Sequence, residues 1–333
     1  MVILVTGATG FLGGVLVRHL IEEEGINGKD IRFLVRDFED YQDLVKLGTK
    51  PFIGDLEDSN SLKGIMKDVT SVYHNAAIII NEAVTPEVMM KVNYIGTTTL
   101  VDEFLNSNTS EKFVFASTFG VYGFNFPKYP ITEEYKKNPQ NAYQITKLKA
   151  EEYLQAKHIE NDLNYTAIRN SLIVGPRDVV TSLRVCQGLM NKKIPYIGNG
   201  KNSFTMVDAR DSSRAMIESI KNPNSKGKAY NVKSFDINQK EYFDFYSDAC
   251  KTSRPEKKYP YWLAYLFACF KEKTTPKDQE VLITRTRVNR YSNTRLFDDS
   301  KIRKELNFVP IHTDSKKVIQ ESVDWLFENK FLN

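Results

Sequence analysis

The chain has 333 residues, with 46 Lys and Arg against 42 Asp and Glu, so its net charge of +4 is small and both signs are mixed along it. A chain this long buries a sizeable core, and its charge balance excludes a nucleic-acid-binding surface of the basic kind. Cys186, Cys250 and Cys269 are widely spaced with no C-x-x-C pair, which excludes a disulfide scaffold or a zinc site and points to reduced thiols in the cytoplasm.

The first apolar run, Val2 to Val5, has the composition of a strand buried on both faces of a parallel sheet. It is too short for a targeting segment and leads directly into TGATGFLGG. From Phe11 to Leu20 the apolar residues fall at helical spacing, so Gly7, Gly10 and Gly13 occupy a strand-to-helix turn. Missing Cβ atoms there allow a tight turn, close backbone approach to a ligand's phosphates, and close packing of helix on strand. The free N–H groups and positive dipole end of the helix suit a pyrophosphate. The spacing is G-x-x-G-x-x-G, and taken alone it is also satisfied by a turn with no ligand.

Strand and helix patterns then alternate. Ile31 to Val35 reads as a strand, Tyr41 to Leu47 as helical, Pro51 to Ile53 as a short strand, and Leu62 to Met66 as helix. Ser71 to His74 is a strand, Pro86 to Leu105 a long helix, Phe113 to Ala116 a strand, Pro139 to His158 a helix, and Tyr165 to Arg169 a strand. This alternation predicts right-handed crossovers and an α/β fold with a Rossmann-type doubly wound parallel sheet. Beyond Gly175-Pro176 the pattern loosens, predicting a smaller, mostly helical substrate region. The expected division is 1–175 for the dinucleotide-binding domain, with a returning segment near 204–235, and 176–333 for the substrate-binding region. The longest apolar stretch, Tyr259 to Phe270, is too short to span a bilayer and reads as a buried helix. A subunit contact or a membrane-surface patch is the alternative.

In the helix near Pro139, Tyr143 and Lys147 stand four apart and share one face. A phenol with its ordinary pKa near ~10 is a poor base at neutral pH, and a lysine ammonium held beside it favours the phenolate. The segment Phe115 to Gly123 places the hydroxyls of Ser117 and Thr118 at the C-terminal end of a strand, where open α/β sheets bind ligands.

Together these residues resemble the extended short-chain dehydrogenase/reductase family, within the NAD-dependent epimerase/dehydratase superfamily and nearest its dihydroflavonol-reductase and 3β-hydroxysteroid-dehydrogenase-like branch. TGATGFLG is similar to the family's cofactor turn, YQITK to its Tyr-x-x-x-Lys pair, and STFGVYG to its hydroxyl-bearing strand end. The resemblance implies that Gly7, Thr9, Gly10, Phe11, Leu12 and Gly13 hold the dinucleotide. It adds Asp55 and Leu56 at the adenine, Asn75, Ala76 and Ala77 in the loop after His74, and Asn93 in VNYIGT. It further implies Tyr143 as general acid/base, Lys147 at the nicotinamide ribose while lowering the tyrosine's pKa, and Thr118 polarising the substrate oxygen. Ser117 is the neighbouring candidate, or simply a hydroxyl bonded to backbone at a strand end.

Arg36 follows the second strand where an NAD enzyme of the family offers a carboxylate. A guanidinium there pairs with a 2′-phosphate, so NADP is expected, with NAD the alternative if Asp37 turns inward. The expected function is an NAD(P)(H)-dependent oxidoreductase, reducing a carbonyl or oxidising an alcohol on a small apolar or aromatic molecule. An NDP-sugar epimerase or dehydratase and a non-catalytic NADP-binding regulatory protein are the alternatives. Leu172 and Ser203 stand where sugar-nucleotide enzymes carry polar diphosphate contacts, although Arg184, Arg210 or Arg285 offer substitute cations. The expected partner is a small-molecule substrate, with neither nucleic acid nor a transmembrane segment. A homodimer is expected through the helices near 86–105 and 139–158.

Overall fold

The apolar runs become strands because both of their faces are covered. The computed structural model describes residues 2–37, 40–79, 84–124, 126–275, 281 and 283–333. Its strands are β1 (Val2–Thr6), β2 (Ile31–Val35), β3 (Lys50–Ile53), β4 (Val69–His74), β5 (Lys112–Thr118), β6 (Tyr165–Asn170), β7 (Leu172–Val174), β8 (Tyr196–Ile197), β9 (Ser203–Asp208), β10 (Lys228–Val232), β11 (Phe235–Asn238) and β12 (Lys258–Tyr259). Its helices are α1 (Phe11–Glu22), α2 (Gln42–Val45), α3 (Pro86–Met90), α4 (Gly96–Leu105), α5 (Ala142–Asn161), α6 (Thr181–Met190), α7 (Ala209–Lys221), α8 (Gln239–Ala249), α9 (Tyr261–Thr274), α10 (Arg285–Ser292), α11 (Ser300–Leu306) and α12 (Ser315–Glu328).

A seven-stranded sheet runs in the order β10-β6-β5-β4-β1-β2-β3. Every pairing in it is parallel. Successive side chains alternate between faces: Ile3, Val5, Phe33, Val35 and Val114 pack with α1 and α7, whereas Leu4, Leu34, Val72, Phe113 and Phe115 pack with α4 and α5. Helices on both faces explain why these strands place apolar residues on both faces instead of on one. The predicted doubly wound α/β fold is what the chain adopts.

A second, three-stranded sheet of order β11-β9-β7 carries a separate core. There Val174, Phe204, Tyr242, Phe243 and Ile319 pack with Cys186 and Cys250, whose thiols are unpaired by disulfide. The two regions are interleaved. After β9 the chain packs α7 on α1 and then adds β10 to the edge of the large sheet beside β6. It returns again with α11, whose Glu305 accepts hydrogen bonds from Lys228 and from the Tyr230 hydroxyl, each at 2.7 Å.

Three sequence expectations differ from the structure. Leu62 to Met66 forms no α-helix: a 3-10 turn ends at Leu62, and Gly64 follows with φ +82°, outside helical geometry. The long helix expected over 86–105 is broken by a wide π turn at Lys91–Ile95. The stretch from Tyr259 to Phe270 does contain a helix, α9, but it is not buried. Only Ala264 and Ala268 of α9 are buried, while Trp262, Leu266 and Phe270 lie about 60% exposed.

Candidate active site

Because the strands are parallel, their C-terminal ends share one edge, and the loops leaving them meet there. Helical connections change face between β1 and β4, which opens a crevice at that point. Gly7 ends β1 with φ +66°, and a Cβ on it would lie 2.7 Å from the Ala76 nitrogen, so only glycine lets the loops after β1 and β4 touch. Gly10 is the N-cap of α1, with no side-chain cap and no acidic residue in the first turn. The opening N–H groups of α1 therefore face the crevice without a competing protein anion.

His74, at the end of β4, is fully buried between the hydroxyls of Thr6 (2.7 Å) and Thr97 (2.8 Å). Burial, reinforced by the nearby Lys147 charge, pushes its pKa down to about 3, so the imidazole is neutral. Beside it, the Asn75 amide is buried with both Oδ1 and Nδ2 unpartnered. A buried amide with neither end satisfied is costly unless a ligand completes it, so this edge fits a dinucleotide. Asn93 sits in the π turn, where Oδ1 accepts from Ile78 N at 2.7 Å and Nδ2 donates to Ile78 O at 2.8 Å. That pairing ties the π turn to the loop after β4. Ala77 is half-buried in the same loop.

Around the rest of the edge, Thr9 and Gly10 are exposed and Phe11 and Leu12 half-buried, while Gly13 packs against the Gly7 carbonyl. Arg36 is half-buried directly after β2 and Asp37 is exposed. Past β3, the Asp55 carboxylate accepts from Glu57 N at 2.9 Å, and Leu56 packs under Gly96 at the start of α4.

The Tyr143 ring enters from the first turn of α5, which Asn141 caps by accepting from Gln144 N at 3.0 Å. Its hydroxyl lies close enough to that of Thr118, at the end of β5, for Thr118 to act on it. Burial pushes the phenol up to about 12, against the lowering effects of the Arg290 charge on α10 and of Thr118. Lys147, one turn further along α5, holds its Nζ 4.0 Å from the centre of the Phe115 ring. Burial pushes that ammonium down to about 7, with Glu151 working in the opposite direction. The cation acting on the phenol is thus Arg290, which lies in a basic run with no motif to mark it. Ser117 turns elsewhere: its hydroxyl donates to Glu151, whose carboxylate is gripped by Arg169 through Nη2 at 2.7 Å and Nε at 3.0 Å. Arg169 Nη1 also donates to the Tyr122 hydroxyl at 2.6 Å. Glu151 continues the face of Tyr143 and Lys147 at the same spacing of four, and that periodicity was the available sequence signal for it.

Substituting Lys147→Met is expected to raise the melting temperature by roughly 2–4 °C for each kcal/mol of buried-charge cost removed. The sign follows from proton counts. A native lysine titrating near 7 binds fewer protons than its unfolded form up to the ordinary value of 10.5. The parent protein should therefore gain stability as pH rises through that window, and the methionine variant should lack the slope. Thermal melts across that range check it.

The family model for the NAD dependent epimerase/dehydratase family matches residues 3–232. The chain belongs to that family. It is 26% identical to sterol demethylase protein B of Methylococcus capsulatus over 98% of this chain and 99% of that one. Among solved structures it is similar to gox2253, with a TM-score of 0.83 and 24% identity over 100% of this chain and 99% of the other. It is also similar to a UDP-glucose 4-epimerase of Thermotoga maritima crystallised with UDP-glucose, with a TM-score of 0.79 and 20% identity over 99% and 100% of the two chains. At these identities the structural likenesses speak for the fold, which they share across the whole chain.

Proposed function

We propose that the chain is an NAD(P)(H)-dependent oxidoreductase that interconverts a carbonyl and an alcohol on a small apolar or aromatic molecule. The observation that carries this reading is the approach of the Thr118 hydroxyl, at the end of β5, to the Tyr143 phenol beside the crevice. When bound, the nicotinamide supplies or accepts the hydride at the substrate carbon. Thr118 holds the substrate oxygen, and Tyr143 gives that oxygen a proton in reduction or takes it in oxidation. Lys147 binds the nicotinamide ribose. Arg290 lends positive charge where the substrate oxygen becomes anionic, an interaction strongest in the transition state. Ser117 is left to the Glu151 network and outside proton transfer. The glycine turn, Thr9, Phe11, Leu12, Asn75, Ala76 and Asn93 hold the dinucleotide, with Asp55 and Leu56 at its adenine and Arg36 beside an NADP 2′-phosphate. The name of the Methylococcus relative, a sterol demethylase protein, supports an apolar substrate.

A second reading, an NDP-sugar epimerase or dehydratase, is favoured by Arg295. Its backbone donates to the Ser203 carbonyl at 2.8 Å and its side chain is buried with Nε unpartnered. It places a cation beside the very strand where Ser203 lacks one. Arg210 and Arg285 do not fill that part, since they pair with Asp208 and Glu321 and with Glu272. A cytoplasmic homodimer belongs to our reading, and the exposed Ile95 in the π turn and Ile145 on α5 give it apolar surface.

The test is a panel of aromatic and steroid ketones, and their alcohols, set against UDP- and dTDP-sugars, with absorbance of both reduced cofactors and product analysis. Net cofactor turnover on a ketone or alcohol, with a lower KM for NADPH than for NADH, is the expected outcome. Epimerised sugar nucleotide without net cofactor consumption would install the second reading, and a clear NADH preference would reverse the role given to Arg36.

A further inference from the structure

Helix α9 is built inside out. Its small residues Ala264 and Ala268 face inward against Ile197 and Val288, while its large ones face solvent. Trp262 (62% exposed), Leu266 (59%) and Phe270 (59%) follow one another at intervals of four and form a single outward stripe. Leu263 and Phe267 widen the stripe on one side, and Tyr259 and Tyr261 extend it at the N-terminal end, all exposed. A contiguous apolar surface of seven large side chains is unlike the scattered apolar residues of an ordinary surface and marks a binding face.

We infer that this face docks on an anionic lipid bilayer, with α9 lying in the plane of the headgroups. The helix has 14 residues, and no helix among the described residues is long and apolar enough to cross a membrane. It can therefore lie on a membrane without spanning it. Charge decides between a lipid and a protein occupant. Lys257 and Lys258 stand exposed just before the stripe, and Lys271 and Lys273 just after it. Among the described residues the acids nearby are Glu256, exposed in the approach to β12, and Glu272, whose carboxylate is held by Arg285 at 2.5 Å. Lysine is depleted from protein–protein interfaces, whereas lysines bracketing an apolar stripe match anionic headgroups. The tryptophan and tyrosines cluster at one end, where rings that are apolar in body and polar at the edge suit the headgroup layer. The docking stands independently of the reaction, and its test reads no turnover.

The full chain is to be floated with vesicles of phosphatidylcholine alone and of phosphatidylcholine mixed with phosphatidylglycerol, while sedimentation velocity follows its mass without lipid. Binding to the mixed vesicles is expected, with weaker binding to phosphatidylcholine alone and a loss of binding as salt is added. The triple variant W262S/L266S/F270S should lose about tenfold or more in lipid affinity, as should the fourfold exchange of Lys257, Lys258, Lys271 and Lys273 to Glu. Both sets of changes lie on exposed positions, and far-UV circular dichroism checks that each variant is folded. Absence of lipid binding by the parent chain, or full binding by both folded variants, would overturn the inference. So would a parent dimer that the triple variant converts to monomer, which would make the stripe a self-interface.

Discussion

Changing Tyr143 to phenylalanine is expected to lower kcat by about a hundredfold or more while leaving cofactor affinity within about twofold, the pattern of a lost general acid. Only one oxygen is removed. The ring stays in the first turn of α5, which Asn141 caps through backbone geometry that the substitution does not touch. What is lost is the hydroxyl on which Thr118 acts. Thr118 keeps its bond from Gly120 N at 3.0 Å, so the end of β5 retains its shape. The variant therefore separates proton transfer from architecture. Stopped-flow turnover and fluorescence titration with the reduced cofactor measure the two quantities on one preparation. A hundredfold fall in kcat together with a matching fall in cofactor affinity would make Tyr143 a binding residue and remove it from the chemistry.

Glu151→Ala should destabilise the fold by about 3–5 kcal/mol, the range for breaking one partner out of a buried ion pair. Arg169 is 3% exposed, and without Glu151 its guanidinium would keep the Tyr122 hydroxyl but lose its counter-charge. Replacing both residues, Glu151→Leu with Arg169→Met, should cost far less than the single change, because the desolvation of two charges disappears with them. The acid limb of stability provides a further check. Burial alone would push the Glu151 carboxyl up, but Arg169, the Ser117 hydroxyl and Lys137 outweigh it and hold the carboxyl below its ordinary range. A native value below the unfolded one means that the stabilisation is present above the unfolded pKa, about 4.3, and is lost as pH falls through the native value. Urea midpoints taken from neutral pH downward should fall more steeply in the parent than in the double variant.

How much of this was legible in the sequence depends on which residues had local reasons for their positions. The parallel strands were readable because burial on both faces forces apolar runs, as in Val2 to Val5 and Phe113 to Ala116. The glycine turn and the Tyr143–Lys147 face were readable because a turn and a helix impose their own periods. The π turn at Asn93 was not readable, and the bond from the Asn93 side chain to the backbone of Ile78 is a contact between distant residues. Nor was the placement of Arg290 near Tyr143 or of Arg295 beside Ser203, because their approach depends on how the C-terminal segments fold back on the sheet. The apolar run of α9 was visible, but an apolar run does not say which way its large residues point. Only packing of Ala264 and Ala268 against neighbours decides that.

The interleaving of the two regions has a consequence for anyone who cuts or recombines this gene. β10 comes from residues 228–232, yet it is the strand that closes the sheet beside β6. A fragment ending at Gly175 would contain every glycine and hydroxyl of the candidate site and still leave β6 as a bare margin, its backbone donors and acceptors open along Tyr165, Ala167 and Arg169. Such a margin recruits strands from other molecules, so the fragment should precipitate or polymerise instead of behaving as an isolated nucleotide binder. A new substrate pocket therefore has to be spliced in between β6 and β9, with both ends of the insert anchored on the same platform. Appending one after the last strand would leave the original pocket in place.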